Sequence, residues 1–191
     1  MSGFSIEWLN LREASDHKAR DRHLLKTAAN WLNDLKSKDK VIVDLGSGTG
    51  STIRGLQRYT TLAPSIQWRL VDNDPELLAE AVHRHSEEHS IESFLVDLSA
   101  TQKLPLESVS LITASALLDL VSSNFIRDLC QLIKEKNEGR PLGFYSALNY
   151  DGCIKWTPFH PLDAAILMNF NTDQRRDKGF GPALGPDATD F

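Results

Sequence analysis

Apolar positions along the chain change period more than once. Leu24, Leu25, Ala28, Trp31, Leu32 and Leu35 recur at helical spacing behind the start signals Ser15 and Asp16, which predicts one helix ending by Lys38. Short apolar runs follow: "VIVDL", "IQWRLVD", "IESFLVD", "SVSLITAS" and "PLGFYSAL" read as five strands. Between them lie helical segments, a short one from Ser51 to Tyr59, "DPELLAEAVHRH" with Asp74 as N-cap and Pro75 in its first turn, and the amphipathic "SSNFIRDLCQLIKEK". A further helix is predicted from Pro161 or Leu162, with Ala165, Ile166, Leu167 and Met168 as apolar surface. Alternating strand and helix predicts an α/β fold, a parallel sheet with helices on both faces.

Composition narrows the picture. At 191 residues, 41% hydrophobic and 25% charged, the chain suits one soluble globular domain. A net charge of -5 argues against a nucleic-acid surface, and the local group Arg175, Arg176 and Lys178 is too small to reverse that. Cys130 and Cys153 stand apart with no metal-ligand spacing, so neither a disulfide framework nor a metal site is expected, and a reducing cytoplasm fits. The first twenty residues carry Glu7, Glu13 and Asp16 and no long apolar run, which speaks against a signal peptide or a membrane span.

The chemistry is expected at the strand ends. "VIVDLGSGTG" runs from a strand into Asp44, Gly46, Ser47, Gly48, Thr49 and Gly50 and opens a helix. Glycines belong where a ligand lies against backbone N–H groups, because a Cβ would hold it away. The spacing is D-x-G-x-G-x-G; a dinucleotide fingerprint would need glycine where Ser51 stands. Asp72 and Asp97 end the next two strands, and in an open parallel sheet such ends share one crevice. Asp72 is suited to a ribose diol and Asp97 to an adenine amino group.

"VIVDLGSGTG", "LVDNDPELL", "FLVDLSA" and "SLITASALLDLVS" resemble, in order and spacing, four blocks of the class I S-adenosylmethionine-dependent methyltransferases. The resemblance spans about residues 40 to 147 and implies a Rossmann-like, doubly wound sheet. "WLNLREASDHKAR", "ASALLDLVS" and "DKGFGPALGPDA" look like a bacterial subgroup of small methyltransferases. It implies S-adenosylmethionine as cofactor, with Asp44 and the glycines at its methionine end, Asp72 and Asn73 at the ribose, Asp97 and Leu98 at the adenine, and Ser115 at the mouth of the fourth strand. It also implies an amino-terminal helical cap over the cofactor, with Arg20 the first candidate for the methionine carboxylate and Arg12 the second.

On the acceptor side the candidates are Asp119 as proton acceptor or positioning group, Tyr150 and Asn149 in the turn after strand five, and Asn171, Gln174 and Lys178 in a lid. Asp119 reads equally as a helix cap or surface acid, and Tyr150 reads somewhat better as a packed aromatic with its hydroxyl satisfied. His83, His85 and His89 suggest metal at first, but their charged neighbours Arg84, Glu87 and Glu88 favour a solvated helix face.

The family's usual last two strands have no counterpart in residues 148 to 191, which leads us to expect a C-terminally truncated chain and a fifth strand exposed for self-association. The expected organisation is a helical cap (1–39), a cofactor-binding core (40–147) and an acceptor-side helix with lid or tail (148–191). Expected function is methyl transfer to oxygen, nitrogen or carbon of a small molecule. Alternatives are an aminopropyltransferase, a non-catalytic S-adenosylmethionine-binding or regulatory protein, and, less favoured by the glycine spacing, an NAD-dependent oxidoreductase.

Overall fold

The computed structural model describes residues 4–37, 39–63, 65–137 and 139–191. Their order is α1 (Ile6–Ala19), α2 (Arg22–Asp34), β1 (Lys40–Leu45), α3 (Ser51–Tyr59), β2 (Ile66–Asp72), α4 (Pro75–His85), β3 (Ser90–Leu95), β4 (Leu111–Ser115), α5 (Ser123–Lys136), β5 (Gly143–Ala147) and α6 (Asp163–Gln174). Single 3-10 turns occupy Thr101–Lys103 and Gly185–Thr189.

The five strands form one parallel sheet in the order β3-β2-β1-β4-β5. Order reverses between β1 and β4, so this is a Rossmann-like doubly wound sheet, with its switch point above Leu45 and Ser115. β1 is buried at every position, as its unbroken apolar run requires. Two cores flank the sheet. Val41, Val43 and Leu45 pack with Ile112, Leu129 and Leu132 on one side, while Ile42, Ile53, Leu56, Trp68 and Leu70 pack with Leu25 and Leu32 on the other.

Two expectations need correction. The amino-terminal helix is two helices, because Asp21 caps a new start by accepting from Leu24 N–H and Arg20 leaves the helical region at ψ 129°. Asp21 was overlooked as a cap behind the apolar period. The second helix ends at Asp34; Lys38 lies outside the described residues. β3 stops at Leu95, two residues before Asp97, whose carboxylate folds back onto Ser99 N–H at 2.9 Å.

After Ala147 the described residues form no further strand, only an isolated antiparallel bridge between Asp177 and Pro182. β5 pairs with β4 alone and is an edge. The final segment is ordered by contacts elsewhere. Leu184 N–H donates to Val121 O and Gly185 N–H to Asp119 O, at 2.8 and 2.9 Å, and Phe180 meets Phe125 edge-on. Those bonds fasten it to the loop behind β4.

Candidate functional site

The glycine turn folds as it does because three of its residues stand in the left-handed region, Gly46, Gly48 and Gly50. Gly50 is fixed twice over: φ is +80°, and a Cβ there would stand 2.8 Å from His85 Cδ2. The turn is anchored by the strands beside it. Gly46 and Ser47 N–H donate to Val71 O, and Gly48 N–H donates to Asp72 Oδ2 at 2.8 Å.

A cleft over this turn is lined by Gly46, Ser47, Gly48 and Thr49, by Ser115, and by Leu9, Arg12, Asp16 and Arg20 from α1 and its end. Arg20 is 3% exposed although it carries a charge. Its Nη1 donates to Ser115 Oγ at 3.0 Å, and Ser115 shares a further hydrogen bond with Thr52. Nε and Nη2 are buried and have no hydrogen-bond partner among the described residues. Across the turn Asp44, 1% exposed, accepts from Thr113 Oγ1 at 2.6 Å through Oδ1, while Oδ2 is buried without a partner. Burial raises the Asp44 pKa to about 6 against the opposing help of Thr113, Arg20 and Thr52. Opposite charges therefore lie close enough to feel each other, and each retains unused bonding capacity.

Arg12 differs from Arg20. It pairs with Asp16 at 2.7 Å and lies over the Trp8 ring at 4.7 Å, so its charge is already engaged. Arg54 is a residue that the sequence pattern did not single out. It bonds Glu13 of α1, Thr49 O and Thr49 Oγ1, and its Nη1 lies 2.8 Å from His85 Nε2. A guanidinium only donates, so this ring nitrogen accepts and the imidazole is neutral. Burial and Arg54 hold the His85 pKa down to about 4. This corrects the solvated reading of the histidine group: His83 is exposed, but His85 is 5% exposed and packs under the turn. Among the described residues no group of His, Cys, Asp or Glu is arranged to hold a metal.

Asp72 braces the turn but, like Asp44, Asn73, Asp97 and Leu98, does not line the cleft; both its oxygens are occupied, Oδ2 by Gly48 N–H and Oδ1 by Asp74 N–H at 3.1 Å. Each oxygen retains a second lone pair. Asn73 follows it, Asp97 is exposed, and Leu98 is buried with Cδ1 4.0 Å from where a Gly46 Cβ would stand.

On the other flank Asp119 is 7% exposed, with Oδ1 buried and unpartnered and its pKa raised by burial. Tyr150 donates its hydroxyl to Asn171 Oδ1 at 2.6 Å and meets Phe170 edge-on. Asn171 also donates to Gly152 O, and Asn149 is committed to Leu118 N–H and Ser146 Oγ, so both hold the loop beside the cleft. Gln174 ends α6, and Lys178 is exposed, 3.7 Å from Asp173. None of Asp119, Asn149, Tyr150, Asn171, Gln174 and Lys178 lines the cleft over the glycine turn. Thr52, Thr113 and Glu13 are the polar residues missed besides Arg54. Thr113 faces Asp44 through the β1–β4 register, which becomes visible only once the strand order is known.

No protein-family model matches the chain, and no curated protein matches it either. Solved structures similar to it include a phosphoethanolamine N-methyltransferase from Haemonchus contortus bound to phosphoethanolamine and S-adenosylhomocysteine. That match is 16% identical over 82% of this chain and 36% of that one, with a TM-score of 0.46. A TehB-like SAM-dependent methyltransferase from Corynebacterium glutamicum is 18% identical over 68% of this chain and 62% of that one, TM-score 0.43. A complex of DhpI with SAM and HEP is 18% identical over 73% and 62%, TM-score 0.44. The chain thus spans less than two thirds of the length of each of these three proteins.

Proposed function

We propose that the protein binds S-adenosylmethionine over the glycine turn and directs its methyl group to a small-molecule acceptor. The observation that carries this reading is the pair Arg20 and Asp44. Two buried opposite charges flank the turn, each with unpartnered polar atoms. A zwitterionic amino-acid end satisfies both at once, its carboxylate on Arg20 and its ammonium on Asp44, and buried polar groups are strongly selected to be satisfied. The residues thus fit the cofactor that the sequence resemblance implies.

When bound, the cofactor supplies a methyl group on a positively charged sulfur. The chain's own residues bind and orient. The glycine turn, whose Gly46, Ser47, Gly48 and Gly50 N–H groups are used internally on Val71, Asp72 and Ser47, gives the seat a floor free of bulky side chains, Asp72 with Asn73 receives the ribose diol, Asp97 and Leu98 border the adenine, and Ser115 holds Arg20 in place. On the acceptor side, Asp119 takes the proton released by a hydroxyl or amine, which its raised pKa favours. Tyr150 shapes that side; Asn149 and Asn171 position its loop, and Gln174 and Lys178 complete the set at the end of α6. Alignment and exclusion of water are the main demands of an in-line displacement, so sparse catalytic machinery is consistent with this role.

Titration calorimetry with S-adenosylmethionine tests the reading. Arg20→Ala should weaken binding by roughly 30-fold or more, the loss of a charge-assisted pair of about 2 kcal/mol, whereas Arg12→Ala should change it less than about threefold. Equal affinity in Arg20→Ala and the parent would remove Arg20 from the site. Thermal stabilisation by nicotinamide dinucleotide and not by S-adenosylmethionine would overturn the cofactor assignment.

A further inference from the structure

Buried polar atoms without partners gather around Arg20 and the glycine turn. Besides Arg20 Nε and Nη2 they include Asp44 Oδ2, Ser47 Oγ, Ser51 Oγ and the hydroxyl of Tyr145. All but Tyr145 belong to the turn, to the helix it opens or to Arg20 itself. Tyr145 stands on β5, 6% exposed, in the core that holds Ile42, Leu56 and Leu111. The parallel register sets it in one row with Thr113 and Asp44, since Tyr145 pairs with Thr113 and Thr113 with Asp44. Ser115, which bonds Arg20 at the cleft, pairs instead with Ala147. Tyr145 therefore lies on the same sheet face as Ser115, one pleat further from the cleft. Burial pushes the Tyr145 phenol up and the Arg20 charge opposes that rise, so the hydroxyl is within electrostatic reach of the guanidinium.

Gly55 bounds Arg20 from α3. Inside a helix only proline is a weaker former than glycine, and the backbone here gives no reason for one, because Gly55 has none of the positive φ values of Gly46, Gly48 and Gly50. Space does. A Cβ at Gly55 would stand 3.2 Å from Arg20 Nε and 3.3 Å from Arg20 Cδ.

We infer that Tyr145 is a positioning residue for the ligand: its hydroxyl accepts from the Arg20 nitrogen that the ligand's carboxylate leaves free, in a slot that Gly55 keeps open. The inference rests on Arg20 binding the carboxylate of S-adenosylmethionine, as proposed above. A carboxylate takes two of the five N–H groups of a guanidinium, and Ser115 takes one from Nη1. The remainder are buried donors, costly if left unmet. A phenol oxygen meets one of them without bringing a charge that would compete with the ligand. Held by Ser115 at the cleft and by Tyr145 behind it, the guanidinium is fixed with its fork toward the cleft.

Titration calorimetry on Tyr145→Phe with two probes, S-adenosylmethionine and its decarboxylated form, is the test. Loss of the hydroxyl should weaken S-adenosylmethionine about tenfold, as for a hydrogen bond to a charged group, and leave the decarboxylated probe within about twofold, since it has no carboxylate for Arg20 to receive. A role in packing alone would weaken both probes equally or neither, and either result overturns the inference. Phenylalanine fills the same core space, so the thermal midpoint should not fall. Gly55→Ala is a second variant that leaves Tyr145 intact. By crowding Arg20 it should weaken S-adenosylmethionine at least about fivefold and spare the decarboxylated probe; unchanged affinity would mean that Arg20 is not held in this slot. A parent that binds neither probe overturns the cofactor reading and this inference together, whereas a parent that binds S-adenosylmethionine and is matched by Tyr145→Phe overturns this inference alone.

Discussion

Residues 44–52 and helix α6 differ in where they place their polar and apolar groups. In the glycine turn most residues are buried, and polar groups are held inside: Asp44 by Thr113, Gly48 by Asp72, Thr49 by Arg54. In α6 no residue is buried and apolar groups face outward, while Asn171 bonds Tyr150 and Gly152 O, and Arg175, just past its end, bonds Asp187. The lesson concerns what each region is finished by. A turn with buried, unpartnered charge is completed by a ligand that can bond; a helix with bare apolar surface is completed by something that excludes water.

Substitutions sharpen that contrast, beginning with the turn. Gly50→Ala should cost about 3 kcal/mol or more, because left-handed strain for a residue with a Cβ adds to a contact with the His85 ring, which is itself buried. Urea unfolding followed by fluorescence of the buried Trp68 measures it; a cost below about 1 kcal/mol would mean the turn is far more pliant than its packing implies.

Asp44→Asn has the opposite sign. The folded pKa of Asp44, about 6, stands above the ordinary 3.8, so the native state holds this proton more tightly than the unfolded chain does. The contribution is greatest below pH 3.8, falls as pH rises through the window from 3.8 to about 6, and above it leaves a charge burial cost of about 2–3 kcal/mol. A neutral amide avoids that cost, so the variant should be about 2 kcal/mol more stable than the parent at pH 7 and nearly equal to it at pH 4, while losing affinity for S-adenosylmethionine. Unfolding curves at both pH values check this, and a variant less stable at pH 7 would contradict it.

Smallest is Met168→Ser in α6. Methionine there is 65% exposed, so less than about 0.5 kcal/mol should be lost, although the same change in a core would cost several times more. A larger loss would show that α6 is packed more tightly than its exposure indicates.

The same contrast explains what was legible in the sequence. β1, β2 and the glycine turn announce themselves because their constraints are local: an unbroken apolar run, three spaced glycines, an aspartate at a strand end. α4 was equally plain, with Asp74 accepting from Glu76 and Leu77 N–H as its position before Pro75 predicts. Residues that meet across the sheet were not. Thr113 touches Asp44 only because β4 lies beside β1, and Arg54 reaches Glu13 and His85 only because α1 and α4 flank α3. The break at Arg20 was hidden for another reason: the apolar period of α2 is regular, and Asp21 reads as one more surface acid until its side chain is seen capping Leu24. Where Arg20 was named as a candidate, resemblance suggested it, and its burial and spare nitrogens are features that only the fold displays.

Ser115 sits on β4, the fourth strand in chain order, and joins Arg20 and Thr52 from far earlier in the chain. During synthesis the glycine turn, α3 and β2 therefore emerge from the ribosome well before the residue that braces Arg20. A nascent chain ending ahead of β4 has β1 open along one side and the guanidinium without its hydroxyl partner. If Arg20 holds the ligand as proposed, ligand-dependent protection of the nascent chain should begin only after the fourth strand is released, which would tie the order of the strands to the onset of binding.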